Sequence, residues 1–235
     1  SANAGNIPPR PAIPSIPTPV PSSEVITKGL QASDGLVFGE NHGERASFQL
    51  LYDNMDLFVR QKVKRVYIEG VADYPSGIRD DGIGWLGDTN QKRTQPNFEE
   101  LKRKFEENGI EVLPLDHVYL TQRYNPTLST KEYSVADAKE RLERFNYYAA
   151  QTIKATSGGE KWIALVGRFH TNTQLGVPGM AELTGGLSIG IFPKKMTGPS
   201  DGLTNTFIVP PGHVPGPTTP MGDLTISFQV RHPQP

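Results

Sequence analysis

The stretch LVFGENHGERASFQLLYDN, Leu36 to Asn54, joins the pattern of a buried strand to the pattern of an amphipathic helix. With the preceding glycine, its first residues read GLVFG, a short apolar run that ends in glycine and is typical of a strand covered on both faces. Apolar side chains then recur every three or four positions from Phe48 to Phe58, which predicts a helix from about Glu44 to Lys62. The segment therefore predicts one β-α unit.

Three further strand patterns follow, and helical patterns separate them. The strands are RVYIEG (Arg65 to Gly70), IEVLPLD (Ile110 to Asp116) and KWIALVGRFH (Lys161 to His170), with a last strand LTISFQV near the end. An Asn-capped helix over NFEELKRKFEENG and a long helix from about Ser134 to Ala155 lie between them. Helical crossovers of this length join parallel strands and are right-handed. The sequence thus predicts an α/β fold, a mostly parallel central sheet flanked by helices, as a single main domain with irregular insertions.

Composition excludes several classes of function. The 235 residues include 24 basic and 25 acidic side chains, for a formal net charge of -1, so no overall field attracts nucleic acid. Cysteine is absent, which excludes disulfides, thiolate catalysis and cysteine-ligated metal sites. No apolar run approaches the ~20 residues that a membrane-spanning helix needs. We therefore predict a chain that neither binds nucleic acid nor spans a membrane; its oligomeric state stays open.

Two proline-rich stretches divide the chain. Residues 1–24 carry a proline every few positions and few charges, which predicts a disordered, polyproline-like leader, either a secretion or recruitment segment or a linker. The folded domain is then predicted over residues 25–235. Within it, residues 73–96 predict an insertion that is either a lid over the site or a surface excursion. Residues 210–222 predict a proline-rich surface loop.

Ionisable side chains follow the first four predicted strands at their carboxyl ends. In chain order they are Glu40, His42, Glu69, Asp116, His117, Arg168 and His170. Open parallel sheets bind ligands outside the carboxyl ends of their strands, so these side chains are expected to converge on one site. Any one of them alone is more often a helix cap, but four strands share the feature. Glu69 is the most informative, because a carboxylate inside the apolar run VYIEG must be paired, hydrogen-bonded or bound to a ligand.

Two copies of the pattern Gly-x-x-His lie at equivalent positions, GENH at residues 39–42 and GRFH at residues 167–170. Together with the strand-end Glu69 they resemble the superfamily that groups TIKI and TraB proteins, erythromycin esterase, the ChaN haem-binding lipoproteins and a domain of Pasteurella-type dermonecrotic toxins. The likeness covers roughly Gly35 to Phe192, and LVGRFHTNTQLGVPGMAELTGGLSIGIF is similar to the corresponding segment of toxin and effector members. The first motif has one residue between its glutamate and histidine, fewer than the esterases, so a shared substrate does not follow.

The resemblance implies a catalytic site made of Glu40, His42, Glu69 and His170, with Arg168 as a helper. In this interpretation His42 activates water as a base, while Glu40 or Glu69 orients it or holds a divalent metal. Arg168 or protonated His170 stabilises an oxyanion or a phosphate oxygen. The superfamily contains metal-dependent and metal-independent members, and no His-x-x-x-His spacing decides between them here. The cofactor therefore stays open, with a divalent ion chemically feasible.

The stretch PLDHVYLTQRY follows the third strand and offers Asp116, His117 and Tyr119 as a substrate-binding wall. A plain surface loop is the alternative. Because ChaN relatives bind haem, His117 or Tyr119 can also be considered as an axial ligand. The sequence does not favour haem, since it carries no haem-attachment motif and a loop tyrosine more often packs.

The function that the resemblance implies is that of a bacterial toxin or type III effector domain with hydrolase-type activity. Such a domain is secreted by a bacterium, is delivered into a host cell and induces a response there, such as cell death. Its partner is then a host protein or a small-molecule substrate. Two alternatives remain: a non-catalytic effector that binds a host protein, and a haem- or metal-binding protein. Loss of effect on mutating the site distinguishes catalysis from binding.

Overall fold

The computed structural model describes residues 7–17, 20–40, 46–74, 77–80, 96–116, 135–194, 206–208 and 222–229. In chain order their elements are α1 (Ser22–Ala32), β1 (Gly35–Glu40), α2 (Ala46–Asp53), α3 (Met55–Arg60), β2 (Val63–Tyr74), β3 (Gly77–Asp80), α4 (Phe98–Glu107), β4 (Glu111–Asp116), α5 (Val135–Thr156), β5 (Lys161–Gly167), a 3-10 turn (Arg168–His170), α6 (Met180–Thr184), β6 (Leu187–Lys194), β7 (Thr206–Ile208) and β8 (Leu224–Gln229).

Within the described residues, six strands pair in parallel in the order β4-β2-β5-β1-β6-β8. Two short strands extend the sheet in the antiparallel sense: β3 pairs with the end of β2, and β7 pairs with β8. The predicted α/β fold with a mostly parallel, helix-flanked sheet is confirmed. β1 lies in the middle of the sheet, with β5 on one side and β6 on the other.

Alternate residues of the central strands face two different apolar layers, because side chains point to opposite faces along a strand. Leu36 and Phe38 of β1, with Ile68 of β2, pack in the layer covered by α1 to α4. Val37 of β1 and Tyr67 of β2 pack in the layer covered by α5 and α6. The sheet is therefore buried on both faces, which explains why its strands are continuous apolar runs.

Two predicted elements are shorter than expected. The helix predicted from about Glu44 to Lys62 is interrupted at Asn54, whose side-chain amide donates to the Leu50 carbonyl at 2.8 Å. The strand predicted over Lys161 to His170 ends at Gly167, after which the chain tightens into the 3-10 turn. Both differences arise at polar residues that the apolar pattern does not resolve.

The N-terminal stretch differs from the predicted disordered leader. Residues 7–17 lie against the domain without regular secondary structure, and Ile16 is buried in the layer of α1 to α4. Arg10 forms an ion pair with Asp223, which precedes β8, and donates to the Gly186 carbonyl at 3.3 Å. A proline-rich segment without hydrogen bonds of its own can pack when such anchors hold it. In addition, α1 begins at Ser22, inside the predicted leader.

The predicted insertions are only partly described. Residues 73–74 continue β2, and Gly77–Asp80 form β3, so the insertion expected over residues 73–96 begins as a β-hairpin. Residues 81–95 lie outside the described residues, as does the predicted loop over residues 210–222 except for Gly222. None of the helices described is both long and apolar enough to cross a bilayer.

Candidate functional site

Glu69 is the centre of a buried polar cluster at the carboxyl end of β2. Its side chain points to the face covered by α5, the same face as Tyr67 two positions earlier, and the residue is 3% exposed. One carboxylate oxygen, Oε2, accepts the Gly167 N–H at 2.6 Å. The other, Oε1, lies 3.2 Å from His170 Nε2 and 3.5 Å from an Arg141 nitrogen. The carboxylate is thus paired with donors, as its place in an apolar strand requires.

His170 is brought to Glu69 by the tight turn that follows β5. The residue is buried, and its ring centroid lies 4.3 Å from that of Phe145 on α5. Gly39 of β1 makes room for the turn, because an added Cβ there would lie 2.7 Å from Thr171 Cγ2 and 3.0 Å from Arg168 Cα. The glycine of the first Gly-x-x-His motif therefore supports the position of the second motif's histidine.

Helix α5 contributes two site residues that the sequence did not single out, Arg141 and Asn146. The mixed-charge pattern AKERLERF predicts a solvated face, yet the Arg141 side chain is only 19% exposed and its guanidinium carbon lies 4.7 Å from the Phe145 ring centroid. Asn146 is fully buried and its Oδ1 lies 2.7 Å from His170 Nδ1. One signal was available for Arg141: it precedes the apolar Phe145 by four residues, which places both on one face of the helix.

Glu40 lies at the same edge of the sheet but projects from the opposite face. It shares its strand face with Leu36 and Phe38, and its carboxylate accepts a hydrogen bond from Ser47 of α2. β5 separates β1 from β2, so two strand spacings, about 10 Å, divide the backbones of the two glutamates. The structure therefore does not gather Glu40 and Glu69 on one face.

Arg168 follows β5 directly but turns away from Glu69. Its guanidinium carbon lies 5.5 Å from the ring centroid of Phe192 on β6. Since β6 and β2 lie on opposite sides of β5, this contact places the charge of Arg168 apart from the buried carboxylate. Within the described structure, Arg141 rather than Arg168 is the arginine at Glu69.

Three predicted site residues, His42, His117 and Tyr119, lie outside the described residues, so their roles stay predictions. Asp116 ends β4 with its backbone opposite Ala72 of β2, and its side chain is not described. In the part of the chain that is described, no three His, Asp or Glu side chains gather as metal ligands. Glu69 and His170 alone supply two donors, fewer than the three protein ligands typical of a catalytic zinc site.

The cluster is suited to proton transfer next to a fixed positive charge. An imidazole can give or take a proton near neutral pH, and an adjacent carboxylate orients it and stabilises its charged form. The guanidinium of Arg141 can stabilise a developing oxyanion. Such chemistry fits acyl, phosphoryl and glycosyl hydrolysis alike.

The fold is similar to that of several solved structures. It resembles the type III effector HopBA1 with a TM-score of 0.55 and 12% identity, over 94% of this chain and 99% of that one. RRSP, a MARTX toxin effector domain from Vibrio vulnificus CMCP6, is similar with a TM-score of 0.51 and 18% identity, over 73% of this chain and 36% of that one. The C-terminal region of Pasteurella multocida toxin is similar with a TM-score of 0.50 and 14% identity, over 73% of this chain and 25% of that one.

This chain thus spans about a third of the RRSP structure and a quarter of the Pasteurella toxin structure. No protein-family model and no curated protein sequence matches the chain. The structural likenesses confirm the predicted fold, which this chain shares with bacterial toxin and effector domains.

Proposed function

We propose that this chain is a bacterial toxin or type III effector domain that acts inside a host cell by hydrolase-type chemistry. The observation that carries the proposal is the buried contact between Glu69 and His170, with Arg141 beside it, at the carboxyl end of the sheet. Burying a carboxylate, an imidazole and a guanidinium together has a desolvation cost that apolar side chains at the same positions would avoid. Open parallel sheets bind their ligands at this edge.

In the proposed reaction, water attacks the substrate while His42 takes a proton from it, and His170 gives a proton to the leaving group. Glu69 orients His170, and Arg141 stabilises the negative charge that develops on the substrate oxygen. Arg168 and Glu40 are proposed to act at the margins of the site, since the first lies over Phe192 and the second faces α2. Substrate binding is proposed for the predicted wall of Asp116, His117 and Tyr119.

The effector assignment is supported by the neighbours that share the fold. The likeness to HopBA1 spans nearly the whole of both chains, so a domain of this size is sufficient for one type III effector. The solved C-terminal region of Pasteurella multocida toxin is described as having a thiol-protease-like catalytic triad. This chain has no cysteine and cannot use that nucleophile.

The test is inducible expression in eukaryotic cells of the wild type, His42→Ala and His170→Ala, with viability as the readout. We expect both variants to lose the effect while the purified proteins remain folded, with a lower unfolding midpoint for His170→Ala because its ring is buried. Tyr148→Ala serves as a control on the exposed side of α5 and is expected to remain active. Undiminished toxicity of folded His170→Ala would contradict the proposed chemistry.

A second candidate function, binding of a host protein without catalysis, is favoured by two exposed apolar side chains close to His170 in the sequence. Phe169 directly precedes this buried histidine and is 49% exposed, and Leu175 follows it by five positions and is 42% exposed. Large exposed apolar residues at one place often mark a protein contact. A Phe169→Ala, Leu175→Ala double variant that loses toxicity, while His170→Ala keeps it, would establish this alternative.

A further inference from the structure

Asn146 is held in one orientation by the loop before α6. Its side-chain nitrogen, Nδ2, donates to the Pro178 carbonyl at 3.0 Å, and the residue is fully buried. A carbonyl oxygen can only accept a hydrogen bond, so the amide nitrogen must face Pro178. The amide oxygen, Oδ1, therefore faces the other way, towards His170.

This orientation decides which nitrogen of His170 carries a proton. Asn146 Oδ1 lies 2.7 Å from His170 Nδ1, and an amide oxygen can only accept. Nδ1 must then be the donor of this hydrogen bond. In a neutral imidazole only one ring nitrogen is protonated, so Nε2 of His170 holds a lone pair in that form.

Nε2 is also the atom that faces Glu69, at 3.2 Å from its Oε1. With Nδ1 already protonated, this contact is attractive only when Nε2 carries a further proton or the carboxylate does. Arg141 at the same oxygen and the Gly167 N–H at Oε2 both favour the charged carboxylate. Nε2 is accordingly the nitrogen that gains and releases a proton.

We propose that Asn146 is a positioning residue that fixes the tautomer of His170, keeping Nδ1 protonated so that Nε2 is the proton-exchanging atom of the site. The role in catalysis rests on the proposed function; the tautomer does not. The arrangement links the His170 ring, through Nδ1, to the loop at Pro178 by two hydrogen bonds that meet at Asn146.

The test is long-range ¹H–¹⁵N NMR of the histidine rings, with His170 assigned by comparison with His170→Ala. At a pH where the ring is neutral, we expect the wild type to show a proton on Nδ1 and none on Nε2. Asn146→Asp keeps an acceptor and should leave the proton on Nδ1. Asn146→Leu removes the acceptor, and the neutral ring should then carry its proton on Nε2, next to the Glu69 carboxylate.

A wild-type neutral ring with its proton on Nε2 would overturn the proposal without any variant being needed. A folded Asn146→Leu that keeps the proton on Nδ1 would also overturn it, since another group would then set the tautomer. Gln151→Leu, exposed on the same helix, is the control and should leave the His170 spectrum unchanged. Because these spectra need no substrate, they separate a failure of this proposal from a failure of the proposed function, which the viability assay reports.

Discussion

Replacing Gly39 by alanine should destabilise the fold by pushing on the turn that carries His170. The new Cβ would lie 2.7 Å from Thr171 Cγ2, 3.0 Å from Arg168 Cα and 3.2 Å from Arg168 Cβ. Carbon atoms in proteins approach to about 3.5–4.0 Å at their optimum, so the turn must move away from β1 by several tenths of an ångström or more. Thr171 is fully buried, so the methyl group has little room to move.

Overpacking of this kind costs about 1–3 kcal/mol. Gly39 does not have a positive φ, so alanine also stabilises the protein by roughly 0.5–1 kcal/mol, because it lowers the conformational entropy of the unfolded chain. The expected net loss is therefore about 1–2 kcal/mol in the free energy of unfolding, measured by urea denaturation. If unfolding is two-state, this corresponds to a drop of about 2–8 °C in Tm for a chain of this size.

A double-mutant cycle tests whether the contact with Thr171 is the cause. Thr171→Ser keeps the hydroxyl that donates to the Arg168 carbonyl at 2.8 Å but removes the methyl group nearest to the new Cβ. The double variant Gly39→Ala, Thr171→Ser should be more stable than the sum of the single effects predicts, by about 1 kcal/mol. Strict additivity, or a Gly39→Ala protein as stable as the wild type, would refute the reasoning.

Three further predictions concern stability elsewhere. Burial raises the pKa of Tyr67 above its ordinary value of about 10. The unfolded chain therefore releases this proton first, and the free energy of unfolding should fall as the pH rises above about 10. Tyr67→Phe loses the hydrogen bond with Thr156, but in urea titrations it should remove that part of the fall. Arg10→Ala should cost about 1–2 kcal/mol, because Asp223 keeps its other donors, and should speed proteolysis of residues 7–17; unchanged cleavage would contradict the anchoring role. Leu175 has φ 50° and is exposed, so Leu175→Asn should raise the unfolding midpoint by the equivalent of about 0.5–1 kcal/mol, and a lower midpoint would refute the strain.

The sequence predicts the fold well because burial on both faces leaves a plain signal. GLVFG and KWIALVG are continuous apolar runs, and the helical stripes between them leave only a parallel sheet as a solution. Glu69 could be recognised as a paired carboxylate for the same reason, since a carboxylate within such a run needs a partner. The repeated Gly-x-x-His motif singles out His170 as a strand-end histidine.

The composition of the cluster could not be predicted, for physical reasons that differ from residue to residue. The alternation of side chains along a strand shows that positions 39 and 40 face opposite sides of β1, but no local pattern tells which of these sides Glu69 of β2 faces. Arg141 lies in a charged helical pattern that looks like a solvated face, and only the packing of α5 on the sheet reveals its burial.

The packing of residues 7–17 could not be predicted from the sequence either. Arg10 and Asp223 lie 213 positions apart in the sequence, and no local pattern links them. A proline-rich segment is compatible with a free chain and with a packed one, because in both cases it makes no regular backbone hydrogen bonds. Only the tertiary contacts of Ile16 and Arg10 decide the outcome.

The central claim is that Glu69 is part of the chemistry, and Glu69→Gln tests it most directly. Glutamine keeps the shape and one oxygen to accept the Gly167 N–H, but it lacks the charge that faces His170 and Arg141. The control is Glu143→Gln, an exposed residue on α5. Expressed at equal levels in host cells, Glu69→Gln is predicted to be folded and non-toxic while Glu143→Gln stays toxic. Full toxicity of a folded Glu69→Gln protein would contradict the account.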